Sequence, residues 1–271
     1  MAPDDFHFLA RLLRRRSGLS LTLDKRALIG RRLAPVMRRF DFKDTAALIA
    51  ELRLGREALA EAVTEAMTVN ESSFFRDPAL FGNFAARVLP RLLAARHQDK
   101  RLRIWSAACA AGQEAYSIAI LLSEMGLTRQ GWSIDLIATD LSGEAIRRAE
   151  AGRYAACEIE RGLDARAMRY FRRDGTEWLV DAALRRMVTF RRFNLLDSFG
   201  WLDDLDIVFC RNVLMYFDIA TRLDVLERIA DTLAPDGVLL LSENDTPERS
   251  GFQPDSPSIY IKSRAALLRA V

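Results

Sequence analysis

The sequence contains few of the residues that form disulfides or bind structural metals. Its 271 residues include three cysteines and two histidines. Cys109, Cys157 and Cys210 show no Cys-x-x-Cys spacing, and His7 and His97 lie far apart in the sequence. Zinc sites use closely spaced cysteine and histidine ligands, and disulfide frameworks use paired cysteines. We therefore expect reduced thiols and no metal.

Long apolar runs are also absent. No stretch approaches the ~18 uninterrupted apolar residues that a membrane-spanning helix needs. The chain begins MAPDDFHFLARLLRRR, with acidic residues ahead of the apolar ones, whereas a secretory signal begins with basic residues. We expect a soluble, cytoplasmic protein without membrane insertion. With 50% apolar residues, the chain can bury one large core and a second, smaller one.

Charge is distributed unevenly along the chain. The net charge is +3, but residues 11–39 contain ten arginines or lysines and a single acid, Asp24. This basic segment therefore carries +9, and the rest of the chain carries 3 − 9 = −6. Such a segment is either a surface for an acidic partner or a solvated helix face, and the sequence alone leaves both interpretations open.

The spacing of apolar residues divides the chain into two parts. Over the first 80 residues apolar positions recur every three or four residues, which predicts helices. Asp44 can cap one helix, Gly55 can end it, and Glu57–Met67 consists of strong helix formers. From residue 101 short apolar runs alternate with amphipathic stretches, which is typical of parallel strands joined by helices. The predicted strands are 102–107, 134–139, 188–193, 207–210 and 238–242, and the predicted helices are 115–125, 144–151 and 220–233.

One segment interrupts this alternation. Residues 178–180 and 188–193 are both strand-like and are separated by a polar stretch, so we interpret 177–193 as a hairpin inserted into the α/β unit. The predicted domains are a helical domain with its linker over 1–80 and an α/β domain over 81–271. The inserted β-subdomain is expected at about 160–192.

The turn after the first predicted strand is made of small residues. Residues 106–114 read SAACAAGQE, with one glycine, Gly112. Small residues let a ligand approach the backbone at a helix N-terminus of an open α/β sheet. The phosphate-binding patterns GxGxxG and GxxxxGK[ST] are absent, which disfavours dinucleotides, triphosphates and an oxidoreductase.

Two acids near this turn indicate what kind of ligand it holds. Glu114 would repel a phosphate but suits an ammonium or sulfonium group. Asp140 ends the second predicted strand, where an acid can accept both hydroxyls of a ribose. Together they predict a cationic, nucleoside-like cofactor such as S-adenosylmethionine. The alternative is that the small residues only permit tight packing and that Asp140 caps the next helix.

Several segments, in order along the chain, resemble the CheR-type chemotaxis receptor methyltransferases. They are AMTVNESSFFRDP (66–78), RIWSAAC (103–109), GQEAYS (112–117), ATDLS (138–142), NLL (194–196), FCRNVLMYFD (209–218), LAPDG (233–237) and SE (242–243). The resemblance implies a Rossmann-like sheet that binds S-adenosylmethionine. It also implies a methyltransferase that uses this cofactor to esterify glutamate side chains of chemoreceptors. Ala115 replaces a proline usual in the family, and the usual glycine before Ser242 is absent, which affects local turn geometry.

The resemblance also implies a set of residues that contact the cofactor. They are Asn70, Ser72, Arg76, Glu114, Asp140, Asn194, Leu195, Arg211 and Asn212. Arg76 would bind the carboxylate of the cofactor, because a guanidinium matches a carboxylate in shape and charge. Glu114 would meet the amino group, and Asp140 the ribose. Asn194 and Leu195 would contact the adenine.

Arg211 and Tyr216 would be the catalytic residues, orienting the substrate glutamate. No general base is needed, because a glutamate carboxylate is already ionised at neutral pH. Plainer interpretations exist as well. Arg76 and Asp77 can form a surface ion pair, and Tyr216 with Phe217 can be core aromatics.

The resemblance further implies a partner, the helical cytoplasmic region of chemoreceptors, on which the helical domain would dock. Some family members also bind a receptor C-terminal pentapeptide through the inserted hairpin. The connection 172–183 is short here, so we expect independence from that tether. A nucleic-acid methyltransferase is disfavoured, because there is no Asn-Pro-Pro-Tyr-type motif and aromatics do not interleave with the arginines. A non-catalytic regulator is disfavoured by the retained cofactor residues.

Overall fold

The structure, a computed structural model, describes residues 1–247 and 250–263. The predicted α/β domain extends to residue 271, so its segments 248–249 and 264–271 lie outside the described residues. No helix in the described part of the chain is long and apolar enough to cross a bilayer.

The first part of the chain is helical, as predicted. Its helices are α1 Pro3–Ser17, α2 Arg26–Arg39, α3 Thr45–Arg53 and α4 Glu57–Met67. Asp44 caps α3 by accepting the N–H of Ala47 at 2.8 Å, and Gly55 follows its end with a φ of +80°. The apolar faces of the four helices form one core, with Leu9, Leu33 and Val63 fully buried at its centre.

A helical stretch joins this bundle to the sheet. It consists of α5 Pro78–Asn83, a π-helical turn Phe84–Val88 and α6 Leu89–Ala95. Its apolar side packs on the main core of the sheet.

Two sheets lie within the described residues. The larger has seven strands: β1 Arg101–Ala107, β2 Ser133–Asp140, β6 Val188–Arg192, β7 Leu205–Cys210, β8 Leu233–Leu240, β9 Phe252–Ser256 and β10 Ile259–Lys262. Their order is β6-β2-β1-β7-β8-β10-β9; β10 pairs antiparallel with both β8 and β9, and the other neighbouring strands pair in parallel. The chain moves from β1 to β2 on one side and later to β7 on the other, so a crevice opens at the carboxyl ends of these strands.

The helices of this part of the chain are α7 Gln113–Glu124, α8 Gly143–Ala151, α9 Ala156–Glu160, α10 Ala182–Met187 and α11 Ile219–Thr232. Three of them, α7, α8 and α11, agree closely with the prediction, whereas the short helices α9 and α10 were not predicted. All five predicted strands are confirmed, and β9 and β10 are additional. Residues 234–237 form a bulge within β8, because Leu205 pairs with Leu233 while Ile207 pairs with Val238.

The inserted sheet differs from the prediction in its pairing. It contains β3 Arg153–Ala155, β4 Phe171–Asp174 and β5 Glu177–Val180, in the order β3-β5-β4. The hairpin expected over 177–193 was therefore wrong: β5 pairs with β4 across Gly175, whereas β6 pairs in parallel with β2. The residues read as a polar link form α10, which Asp181 caps, and this helix carries the chain from the small sheet to the large one.

Candidate active site

A cavity lies at the carboxyl ends of β1, β2 and β7, where the helical domain meets the sheet. All ten residues predicted for the cofactor or the reaction line it: Asn70, Ser72, Arg76, Glu114, Asp140, Asn194, Leu195, Arg211, Asn212 and Tyr216. They come from segments separated by up to 146 positions (216 − 70) and are brought together by the strand order.

The turn between β1 and α7 lines part of this cavity. Ala108, Ala110 and Gly112 all have positive φ, and the N–H of Cys109 donates to the carbonyl of Thr139 at 2.8 Å. A Cβ atom on Gly112 would lie 2.8 Å from the Cβ atom of Ala149 in α8. Glycine is therefore required there both for its φ of +90° and for the close approach of α7 to α8.

Cys109 also lines the cavity, but it is a packing residue. Its side chain is buried, and burial raises the pKa of the thiol well above its ordinary value. A buried neutral thiol is a poor nucleophile. This agrees with the sequence analysis, which gave Cys109 no chemical role.

Glu114 and Arg211 form a buried ion pair at the centre of the cavity wall. Nη1 of Arg211 donates to Oε2 of Glu114 at 3.1 Å, and the hydroxyl of Ser106 donates to Oε1 at 2.8 Å. Nη2 of Arg211 donates to the carbonyl oxygen of Arg76 at 2.8 Å and lies 3.8 Å from Oδ2 of Asp77. The Arg211 side chain is only 3% exposed, so its guanidinium ties α7 to the linker between the two domains.

Asp140 is buried at the end of β2. Its Oδ2 accepts the N–H of Ala110 and its Oδ1 accepts the N–H of Ser142, both at 2.9 Å. Burial raises the pKa of this carboxyl group, although both N–H donors act in the opposite direction. Each oxygen retains a lone pair for a further donor. The side-chain cap of α8 is Ser142, which accepts the N–H of Ala145 at 3.1 Å.

Two phenylalanines hold the interdomain linker in place. Phe74 is buried and packs edge-on against Tyr154 and Phe171, with ring centroids 4.9 and 5.2 Å apart. The N–H of Phe75 donates to the hydroxyl of Ser117 at 2.9 Å. The two aromatic residues therefore pack against the α/β domain, and Arg76 remains exposed beside the cavity. Asp77 caps α5 by accepting the N–H of Leu80 at 3.2 Å, so the alternative of an Arg76–Asp77 surface ion pair does not describe its principal contact.

The helical domain contributes residues that the sequence analysis missed. Ser17 and Leu19, at the end of α1, line the cavity. Gly18 ends α1 with a φ of +73°, which is the one sequence signal of a helix end here. A glycine marks where a helix stops, but it does not reveal what the following residues contact.

The segment after α1 forms backbone hydrogen bonds with the loop after β7. Leu19 forms an antiparallel bridge with Phe217, and the N–H of Ser20 donates to the carbonyl of Tyr216 at 2.8 Å. On the sheet side Phe217 is buried and Tyr216 is half-buried, and both line the cavity. Phe217 belongs to the core of the sheet, and Tyr216 packs against that core from the cavity wall.

Asn194 makes a similar contact across the domain boundary. Its Nδ2 atom donates to the carbonyl of Arg16 at 2.6 Å, while its Oδ1 atom accepts the N–H of Leu196 at 3.1 Å. The helical domain thus holds one of the residues expected to contact adenine.

The charged residues of the cavity match a cationic ligand. Glu71, Glu114 and Asp140 contribute −3, and Arg76 and Arg211 contribute +2, so the lining carries −1. S-adenosylmethionine carries a sulfonium, an ammonium and a carboxylate and therefore has a net positive charge. The residues present fit this cofactor in charge and in donor set. In the described part of the chain there is no group of three or more histidine, cysteine, aspartate or glutamate residues that could hold a metal ion.

Comparison with known proteins agrees with this geometry. Residues 70–253 match the family described as "CheR methyltransferase, SAM binding domain", and residues 4–68 match "CheR methyltransferase, all-alpha domain". The chain belongs to the CheR methyltransferase family. It is accordingly an S-adenosylmethionine-dependent methyltransferase, with the α/β sheet and the helical N-terminal domain of that family.

Curated CheR relatives resemble the chain over nearly its full length. Chemotaxis protein methyltransferase 1 of Pseudomonas aeruginosa is 39% identical over 97% of this chain and 99% of its own. Chemotaxis protein methyltransferase Cher2 of Pseudomonas putida is 37% identical over 96% and 98%, respectively. Chemotaxis protein methyltransferase of Vibrio parahaemolyticus is 34% identical over 91% and 90%.

Proposed function

We propose that this CheR-family protein transfers a methyl group from S-adenosylmethionine to glutamate side chains of chemoreceptors, in the cytoplasm, for sensory adaptation. The observation that carries the proposal is the single cavity lined by all ten residues for which the sequence predicted a role. The names of the curated relatives, chemotaxis protein methyltransferases, support the same process.

The cavity residues suggest how the cofactor is held. Arg76, exposed beside the cavity, would bind its carboxylate, and Glu114 its amino group. Asp140 would accept the ribose hydroxyls with the lone pairs that its two backbone donors leave free. Leu195, which is buried, and Asn194 would contact the adenine.

Further contacts in the linker and after β7 complete this set. Asn70 and Ser72 line the cavity from the interdomain linker. Asn212 lines the cavity as well. Its backbone has the left-handed conformation, with a φ of 58°, and its N–H donates to the hydroxyl of Ser242 at 2.6 Å.

The reaction needs alignment more than proton transfer. The bound cofactor supplies a methyl group made electrophilic by the sulfonium. A glutamate carboxylate is ionised at neutral pH, so the protein must orient it and exclude water. Tyr216 would orient the substrate from the cavity wall. Arg211 would act through Glu114 and the linker, because both of its terminal nitrogens are hydrogen-bonded to them.

The basic segment supports an acidic partner, the helical methylation region of a chemoreceptor. Some of its arginines hold the fold together, since Arg14 pairs with Asp218 and Arg16 pairs with Glu57. Arg32 likewise donates to the carbonyls at the end of α4. Six of the remaining members have exposed side chains: Arg11, Arg15, Arg26, Arg31, Arg38 and Arg39. These exposed arginines are the proposed receptor contacts.

We further propose that the protein works without the receptor C-terminal pentapeptide. Two residues, Gly175 and Thr176, join β4 to β5, so the hairpin of the small sheet is short. Neither nucleic acid nor membrane insertion is part of the proposal.

One assay tests the proposal. Purified protein is incubated with radiolabelled S-adenosylmethionine and one of three acceptors: a chemoreceptor cytoplasmic region, the same region lacking its last five residues, or RNA. We expect base-labile label on both receptor forms. Label on RNA alone would overturn the substrate assignment, and label on the full receptor alone would overturn independence from the tether.

A further inference from the structure

The helical domain supplies one side chain to the turn that carries Asp140. Glu65, near the end of α4, reaches across the domain boundary to the start of α8. Its Oε1 atom accepts hydrogen bonds from the hydroxyl of Ser142 at 3.1 Å and from the N–H of Glu144 at 2.8 Å. A Cβ atom added to Gly143 would lie 3.6 Å from the same oxygen, so the carboxylate lies over the first turn of α8.

Ser142 connects this carboxylate to Asp140. Its hydroxyl donates a hydrogen bond to Glu65, and the lone pairs of the same oxygen remain free to accept the N–H of Ala145. Its backbone N–H donates to Oδ1 of Asp140 at 2.9 Å. The position of Ser142 is thus fixed from both sides, by a residue of the helical domain and by a residue of the sheet.

The charge of Glu65 strengthens this arrangement. Burial raises the pKa of Glu65, but hydrogen bonds from Glu144 and Ser142 and the charges of Arg192 and Arg147 outweigh burial, so the pKa lies below its ordinary value. The side chain is therefore ionised at neutral pH. A negative charge at a helix N-terminus is stabilising, because unpaired N–H groups point toward it.

We propose that Glu65 is a positioning residue for the methyl donor. It holds Ser142 and the first turn of α8 from the helical domain, and it thereby keeps Asp140 in the orientation that accepts the ribose hydroxyls. The inference rests on the proposed role of Asp140. Glu65 is not among the residues that line the cavity, so its effect on the cofactor passes through Ser142.

The test uses three variants of the full chain and a ligand that needs no receptor. They are Glu65→Ala, Glu65→Gln and a matched control, Glu61→Ala. Glu61 lies one turn earlier in α4 and pairs with Arg192 across the same boundary. The affinity for S-adenosylhomocysteine is measured by calorimetry, and the melting temperature is measured without ligand.

We expect Glu65→Ala to weaken binding about fivefold, the effect of losing a helix cap. Glu65→Gln should lose less affinity than Glu65→Ala, because its amide oxygen can still accept hydrogen bonds. Glu61→Ala should bind S-adenosylhomocysteine with the affinity of the unaltered protein. A purely structural role would lower the melting temperature of Glu65→Ala and leave its affinity unchanged.

The outcomes separate this inference from the function on which it rests. Equal affinities of Glu65→Ala and the unaltered protein, or an equal loss in Glu61→Ala, would refute the role of Glu65 alone. Failure of the unaltered protein to bind S-adenosylhomocysteine would refute the methyl-donor site and, with it, both proposals.

Discussion

The guanidinium of Arg211 donates to the carboxylate of Glu114 at 3.1 Å, and this pair joins the residue after β7 to the first turn of α7. The two side chains are 3% and 12% exposed. Burying one such charge alone is costly, so each side chain compensates the buried charge of the other. The same pair also sets the position of the linker, through the bond from Arg211 to the carbonyl of Arg76.

Glu114→Gln should lower both the stability of the protein and its affinity for the cofactor. The amide can still accept a hydrogen bond, but it leaves the Arg211 charge without its nearest counterion, so we expect a loss of about 2 kcal/mol in the free energy of unfolding. Affinity for S-adenosylhomocysteine should fall at least about tenfold, since the contact to the ammonium group loses its charge. Urea denaturation and calorimetry measure the two effects.

Glu124→Gln is the control for this substitution. Glu124 lies at the other end of α7 and pairs with Arg166 and Arg169, whose side chains are 73% and 56% exposed, and ion pairs with such exposed partners contribute little. Both its stability and its affinity should stay close to those of the unaltered protein. If Glu114→Gln behaved like this control, the buried pair would have no role in the site.

Gly112→Ala should destabilise the protein far more than Gly55→Ala. Both glycines have strongly positive φ, +90° and +80°, so the backbone cost of a side chain is similar. Only at Gly112 would the new Cβ atom meet another residue, Ala149, at 2.8 Å, whereas nothing lies within 4 Å at Gly55. We expect about 1 kcal/mol at Gly55 and about 3 kcal/mol at Gly112, measured by urea denaturation. Equal losses would show that α7 and α8 can separate without cost.

Tyr216→Phe should slow turnover more than it weakens cofactor binding. The substitution removes one hydroxyl from the cavity wall and leaves the ring in place. If that hydroxyl orients the substrate glutamate, kcat should fall about tenfold, the effect of one lost hydrogen bond in the transition state. A radiolabelled methyl assay measures kcat, and calorimetry with S-adenosylhomocysteine is the control. Equal kcat values for the two proteins would remove Tyr216 from the catalytic residues.

The sequence predicted the elements of the fold because its local patterns are strong. Asp44 caps the helix expected of it, since a side-chain cap depends only on residues a few positions away. The pairing of β5 and β6 was predicted wrongly, because two short strand-like runs carry no information about their partners. Pairing depends on α10, whose residues read as a polar link.

The cavity was predictable only in part, for the same reason. Residues in the family segments were found from motif resemblance, and each lies in the linker, at the end of β2 or in a segment that follows β1, β6 or β7. Ser17 and Glu65 were missed, since each acts across the domain boundary on residues far along the chain. Contacts of this kind follow from the docking of two folded units, which no local pattern encodes.

Reversing charge on the exposed face of α2 should weaken receptor recognition without affecting the cofactor. Arg31 and Arg38 are both exposed and lie seven residues apart, on one face of the helix. Substituting both by glutamate should raise the KM for the receptor about tenfold at low salt, since like charges would then face the acidic partner. Neither kcat nor the affinity for S-adenosylhomocysteine should change.

The matched control is the pair Arg101→Glu and Arg129→Glu, which alters net charge equally. Both arginines are exposed, and they lie near the amino ends of β1 and β2, on the side of the sheet opposite the cavity. Because exposed charges are screened by salt, the difference between the two double variants should shrink as ionic strength rises above about 0.1 M. Equal KM values at low salt would mean that net charge alone attracts the receptor and that the basic segment is a solvated helix face.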